Sequence, residues 1–174
     1  GTACPSLDGW LKAFEGADEI FVITITSSLS GTCASAMAAR DVYLQSHPEV
    51  KIHIFDTLST GPEMQLLAEK LAELHAKGLP FDVICEKAQE YLATTHLFFS
   101  LKSLHNLAQN GRVSKIAAGA IGILGIQILA TASLEGTIQP VEKCRGEKKT
   151  CAAMVQNLLE ADYHGGKVRI HHAE

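Results

Sequence analysis

A strand that runs into a hydroxyl-rich turn and then into a helix sets the frame for this chain. The stretch begins as an apolar run, Phe21–Ile25, and turns through Thr26, Ser27, Ser28, Ser30 and Thr32, with Gly31 permitting a tight backbone. Ala34, Ala36, Ala38 and Ala39 follow, small residues that favour helix and close packing. Such a turn gathers free backbone N–H groups, hydroxyl donors and the positive end of a helix dipole about one point, which suits an anion. No Lys or Arg occurs in the stretch before Arg40, so neutral donors would hold it, and a carboxylate or a phosphate fits.

The rest of the first half repeats the strand–helix alternation. Pro5-Ser-Leu-Asp opens a helix over Leu7–Phe14, Glu19–Thr26 reads as a buried strand, and Thr32–Gln45 as a helix stopped by His47-Pro48. Lys51–Phe55 alternates as a short strand ending at Asp56. Gly61-Pro62 starts a long helix to Lys77, with Gly78 as its cap, and Pro80–Thr94 is a second amphipathic helix. Strands joined by helices favour a parallel sheet covered on both faces, with ligands at the carboxyl ends of its strands. Thr26–Ser30 and Asp56–Thr60 both lie at such ends, so the two turns are expected to line one crevice.

The second half changes character. His96–Ser100 reads as a strand, Ser103–Ala108 as a short helix ended by Asn110-Gly111, and Ser114–Leu124 as a small-residue helix. Ile126–Leu134 and Thr137–Val141 flank Glu135-Gly136, a hairpin signal. An amphipathic helix over Lys148–Asp162 and a final strand over Lys167–His171 complete the chain. The expected architecture is α/β: a parallel-sheet domain over residues 1–95 with helices on both faces, incomplete and lacking its first strand. It joins a second α/β region over 96–174 that contains the hairpin at 126–141 and whose continuation is missing.

Composition narrows the function classes. With 174 residues, 47% of them hydrophobic and only 6% aromatic, the chain builds an aliphatic globular core. A net charge of −4 gives no general affinity for nucleic acid or anionic lipid. The five cysteines form no C-x-x-C pair and read as reduced thiols of a cytoplasmic protein. The apolar run Ala117–Ala132 is broken by Gly119, Gly122, Gly125 and Gln127, too short and interrupted for a membrane span. A metal site is not expected: His171 and His172, adjacent on a strand, would point to opposite faces, and His96 and His105 lack ligand spacing.

Five ordered segments resemble the DegV family, the bacterial fatty-acid-binding proteins. Thr2-Ala-Cys-Pro-Ser6 resembles the family's T-S-x-P-S segment, and Ile25-Thr-Ser-Ser-Leu-Ser-Gly-Thr32 its I-S-S-x-L-S-G-T motif. Phe55-Asp-Thr-Leu-Ser-Thr-Gly61 resembles the D-S-x-x-x-x-G turn. Leu104–Ser114 resembles L-x-x-L-x-x-G-G-R-I-S, and Glu142-Lys-Cys-Arg-Gly146 the K-x-R-G turn after the hairpin. The resemblance covers the middle of the family's usual length, without its N- and C-terminal parts, so the chain is expected to be a fragment. Ala3 and Thr26 stand where the pattern has Ser, and only Thr26 keeps a hydroxyl.

The resemblance implies a non-catalytic lipid-binding protein, the carrier subunit of a fatty acid kinase. A long-chain fatty acid would lie in a buried apolar tunnel and be presented to a separate kinase subunit for phosphorylation, with no further cofactor. The carboxylate ligands it implies are Thr2, Thr26 and Ser27; Phe98, Phe99, Ile121 and Ile126 would line the tunnel. Ser30 and Thr32 read better as helix-capping residues, and Ser28 as a turn former. Arg112 is expected to brace its own turn. Arg145, among Lys143, Lys148 and Lys149, is the residue expected to engage the kinase, against the plainer reading of a solvated basic loop. Two other classes compete. A serine-nucleophile acyl hydrolase would need a His base, and the segment is not a G-x-S-x-G elbow. A phosphate- or nucleotide-binding module would be expected to carry a Walker lysine or a G-x-G-x-x-G fingerprint, and neither is present.

Overall fold

The computed structural model describes residues 3–113 and 126–172. Residues up to Thr95, joined by the segment from Arg169 onward, form one compact unit, and His96–Val168 form another.

In the first unit, β1 (Glu19–Thr24) and β2 (Lys51–Asp56) pair in parallel, Glu19 opposite Lys51 through Thr24 opposite Asp56. Alternation along the strands sends side chains to two faces, and each face has its own helices. On one, Val22 and Ile54 pack with α1 (Leu7–Phe14) and α2 (Thr32–Leu44) through Phe14, Cys33, Ala36, Ala39 and Tyr43. The small side chains of Ala36 and Ala39, both fully buried, let α2 approach the sheet closely. Ser6 caps α1 by accepting the Gly9 N–H at 3.1 Å, and Tyr43 Oη donates to the Phe14 carbonyl at 3.2 Å. On the other face, Phe55 meets α3 (Pro62–Ala76) and α4 (Phe81–Leu92) through Leu67, Leu71, Leu74, Ile84 and Ala88. The two-sided covering expected for a parallel sheet is therefore present.

In the second unit, β3 (Phe98–Leu101), β4 (Ile126–Ala132) and β5 (Ile138–Arg145) form an antiparallel sheet with β4 in the middle. The hairpin forms about Ser133–Thr137, where Gly136 takes φ of 74° and Ser133 N–H donates to the Thr137 carbonyl at 2.9 Å. Register slips between Leu129 and Ala130, which face Glu142 and Pro140, so Val141 is the extra residue of a bulge. Pro140, with no N–H to give, sits where the ladder is interrupted, on a strand at the sheet edge. A short α5 (His105–Gln109) and the longer α6 (Glu147–Glu160) complete the unit. None of the described helices is long and apolar enough to cross a membrane.

Three expectations need correction. The hairpin does not end at Val141: β5 resumes its pairing with β4 past the bulge and runs on to Arg145, opposite Ile126. The first strand ends at Thr24 rather than Thr26, because the Thr26 N–H leaves the ladder and donates to the Ser59 carbonyl at 2.9 Å. Lys167–His171 is not a strand. Its side chains instead reach α3: Arg169 forms a two-pronged ion pair with Glu69 at 2.6 and 2.8 Å, and His171 Nε2 lies 2.8 Å from Gln65 Oε1. The helix expected over Ser114–Leu124 lies outside the described residues.

Candidate functional site at the carboxyl ends of the parallel strands

The two turns that follow β1 and β2 are tied together by hydrogen bonds. Thr26 N–H donates to the Ser59 carbonyl, and Ser27 N–H donates to Asp56 Oδ1 at 3.1 Å. The same carboxylate oxygen accepts the Leu58 N–H at 3.3 Å. Thr57 Oγ1 donates to the Thr24 carbonyl at 2.8 Å and accepts the Ser59 N–H at 3.3 Å. Leu58 adopts φ of 51°, a conformation that costs a non-glycine residue about 1 kcal/mol or more. The Asp56 carboxylate, bound to the amides on either side, holds that bend. These bonds join the two turns at the carboxyl ends of β1 and β2.

Within the first turn the hydroxyls divide by role. Thr26 is 1% exposed, and its Oγ1 accepts the Ser28 N–H at 3.2 Å. A hydroxyl that accepts one bond keeps its proton for another. Ser27 is exposed, and its amide rather than its side chain is engaged by Asp56. Ser30 Oγ accepts the Thr32 N–H at 3.2 Å and lies 2.8 Å from Thr32 Oγ1, so Ser30 meets the first N–H of α2 from outside the cap position, and neither hydroxyl is the helix cap expected of it. The formal cap, Gly31, offers no side chain, so no side chain caps α2 at that position. Cys4 adds a thiol at the same place: Thr32 Oγ1 donates to its Sγ at 3.6 Å.

Behind the second turn lies a group the sequence reading passed over. Glu63, in the first turn of α3, is only 6% exposed and accepts hydrogen bonds from both Ser59 Oγ and Thr95 Oγ1. From sequence it reads as an ordinary acidic residue at a helix start; only its burial distinguishes it. Asp56 was visible as the end of a strand, but nothing local announced that it would reach the amide of Ser27.

The remaining expected residues are distributed as follows. Thr2 and Ile121 lie outside the described residues. Phe98 and Phe99 are both half-buried on β3, and as neighbours on a strand they face opposite ways. Phe99 lies opposite Ala130, on the face shared with Ile126 and Ile128. Phe98 shares its face with Gln127 and Cys144. Arg145 is the exposed last residue of β5, opposite Ile126, followed by Gly146 at φ of 82° and the lysines of α6. Arg112 braces its own turn, donating from Nη1 to the Asn110 carbonyl at 2.5 Å. Among the described residues no cluster of His, Cys, Asp and Glu is placed to hold a metal ion.

Known proteins share this fold. A family model described as "Uncharacterised protein, DegV family" matches residues 1–174. A DegV domain-containing protein of Streptococcus gordonii is 43% identical over 98% of this chain and 61% of its own length. Another, from Streptococcus pneumoniae, is 44% identical over 96% of this chain and 59% of its own. The chain thus spans about three fifths of the length of these relatives. Among solved structures, a DegV family protein from Eubacterium eligens loaded with heptadecanoic acid superposes with a TM-score of 0.93 at 51% identity, covering 96% of this chain and 60% of that one. The Streptococcus pneumoniae Fatty Acid Kinase (Fak) B3 protein loaded with linoleic acid superposes with a TM-score of 0.91 at 45% identity, covering 94% of this chain and 58% of that one. The motif turns, the two-sided parallel pair and the hairpin sheet thus fall within a single known pattern, matched along the whole sequence, and the chain belongs to the DegV family.

Proposed function

We propose that this chain binds a long-chain fatty acid and presents its carboxylate to a separate kinase subunit, taking no part in the phosphoryl chemistry itself. The head group would sit at the paired turns, held by the Ser27 hydroxyl and by Thr26, with Thr2 as a further donor. The observation that carries this reading is the engagement of the Ser27 amide by Asp56, with the Ser27 side chain exposed a few residues before α2, whose cap residue, Gly31, has no side chain. Hydroxyl and amide donors can keep a buried carboxylate ionised, because charge-assisted hydrogen bonds replace those of water. An acyl tail gains about 0.8 kcal/mol for each buried methylene, so an apolar tunnel supplies the bulk of the affinity. Phe99 and Ile126, on one face of the antiparallel sheet, are the favoured described residues for its wall, with Ile121 beside them in sequence terms. The loading of related proteins with heptadecanoic and linoleic acid supports the ligand class, and the kinase name of one supports the partner. Arg145, exposed at the end of β5 beside Lys148 and Lys149, is the residue assigned to that partner. Free thiols at all five cysteines accord with a cytoplasmic setting.

Organic extracts of the purified protein and of Ser27→Ala, analysed by mass spectrometry and followed by titration with heptadecanoic acid, test this. The wild type should carry or take up one equivalent, and Ser27→Ala should bind about tenfold more weakly, as expected for loss of one hydrogen bond to a charged group. No acid in the extract and no uptake would overturn the reading. Ester turnover that depends on Ser27 would favour the hydrolase instead, and phosphate binding without lipid would favour a phosphate module.

A further inference from the structure

We propose that Glu63 is a positioning residue for the head-group site, acting through the turn after β2 rather than by touching the ligand; the inference rests on the fatty-acid reading above. Its carboxylate is buried, yet among the described residues no basic side chain is bonded to it. It is instead compensated by the hydroxyls of Ser59 and Thr95 and by its place in the first turn of α3. Each of those hydroxyls belongs to a different part of the unit. Ser59 stands in the turn that faces Ser27, and Thr95 lies just beyond the C-terminal end of α4, where its Oγ1 also reaches the Leu92 carbonyl at 2.8 Å.

The route from Glu63 to the site is short and continuous. Ser59 gives its hydroxyl to Glu63 and its carbonyl to the Thr26 N–H. Its N–H goes to Thr57, which in turn donates to the Thr24 carbonyl. The peptides on either side of Ile25, the second of which carries the Thr26 N–H, are therefore set by a turn that Glu63 anchors to α3. That helix is itself held by Leu67, Leu71 and Leu74 in the core, so the anchor does not move with the turn. Without it, the turn bearing Leu58 at positive φ loses a tie on one side, and the alignment of Thr26 and Ser27 loosens.

The test uses the whole chain in three variants, Glu63→Gln, Ser59→Ala and the double substitution, with Ser27→Ala as the reference. Glutamine keeps the volume but turns one acceptor into a donor, and Ser59→Ala cuts the same link from its other end. Heptadecanoic acid is the probe, and amide hydrogen exchange is the second readout. Each single substitution should weaken binding about tenfold, and the double should weaken it no further, since both break one tie. Exchange at Thr26 and Ser27 should accelerate while Val22 and Ile23 in β1 stay protected, a local change that general destabilisation would not produce. Additive losses, or exchange that rises equally throughout the unit, would overturn the inference. So would binding unchanged in Glu63→Gln while Ser27→Ala loses it, a result that leaves the fatty-acid reading intact. A wild type that takes up no heptadecanoic acid would overturn both.

Discussion

His53 shows how a single residue reports the packing around it. It lies on β2, half-buried, with its ring edge-on to Phe55 at 4.4 Å. Burial first, and the Arg40 cation second, hold its pKa below the ordinary value of 6.5. The unfolded chain therefore binds a proton at His53 more readily than the folded one. The stability that a neutral His53 contributes is present in full above 6.5 and is lost as pH falls from there toward the folded value. His53→Gln should lose less stability than the wild type between about pH 7.5 and about pH 5, as urea midpoints would show; equal losses would refute it. Cys85 records the same burial differently: desolvation, then Asp82 and Glu19, push its thiol up to about 11, which makes it inert beside the exposed Cys4. Asp82 is a neighbour of Cys85 on α4, but the burial of both residues and the charges of Arg40 and Glu19 come from other elements and are not readable in sequence. The turn that carries Ser27 was readable, because its motif and its place at a strand end required only local order.

At the scale of elements, the pattern of apolar residues was enough to place nearly all of them. α1 begins and ends where Ser6 and the turn at Gly16 require, and α3 runs from Pro62 until Gly78 turns it at φ of 69°. Leu67 shows why α3 is firm: it is fully buried between the sheet and α4. Leu67→Ala should destabilise the protein by about 3 kcal/mol, the cost of lost transfer plus a residual cavity, measured by denaturant unfolding. A loss below about 1 kcal/mol would mean that the helix relaxes into the space. The hairpin was legible from Glu135-Gly136, since a turn's chemistry lies within a few residues. Its bulge at Val141 was not, because register is a property of two strands. The strand expected over Lys167–His171 failed for a similar reason. Its β-like composition fits pairing, but a strand exists only with a partner, and the polar side chains there found α3 first.

For the molecule as a whole, that failed strand matters most. The segment from Arg169 returns to the first unit after 73 residues of the second, His96–Val168, have intervened. Arg169 and Glu69 make the tie, a bidentate pair in partly exposed surroundings. Arg169→Ala should release residues 169–172, raising their amide exchange while the α3 core around Leu71 stays protected; unchanged exchange would show that other contacts hold the segment. A return of this kind is invisible in the sequence, where Arg169 stands 100 positions from its partner. By itself the sequence determined the order and type of the described helices and sheet strands as far as α6, the position of the hairpin, the family and the turn that carries Ser27. Those follow from periodicity, turn residues and short motifs, all of which act within a few residues along the chain. Only the tertiary structure decided that Asp56 would hold the Ser27 amide, that Phe99 would lie opposite Ala130, and that Glu63 would be buried between two hydroxyls. These are matters of which distant groups meet, and burial then gives an ordinary acidic residue an uncommon environment.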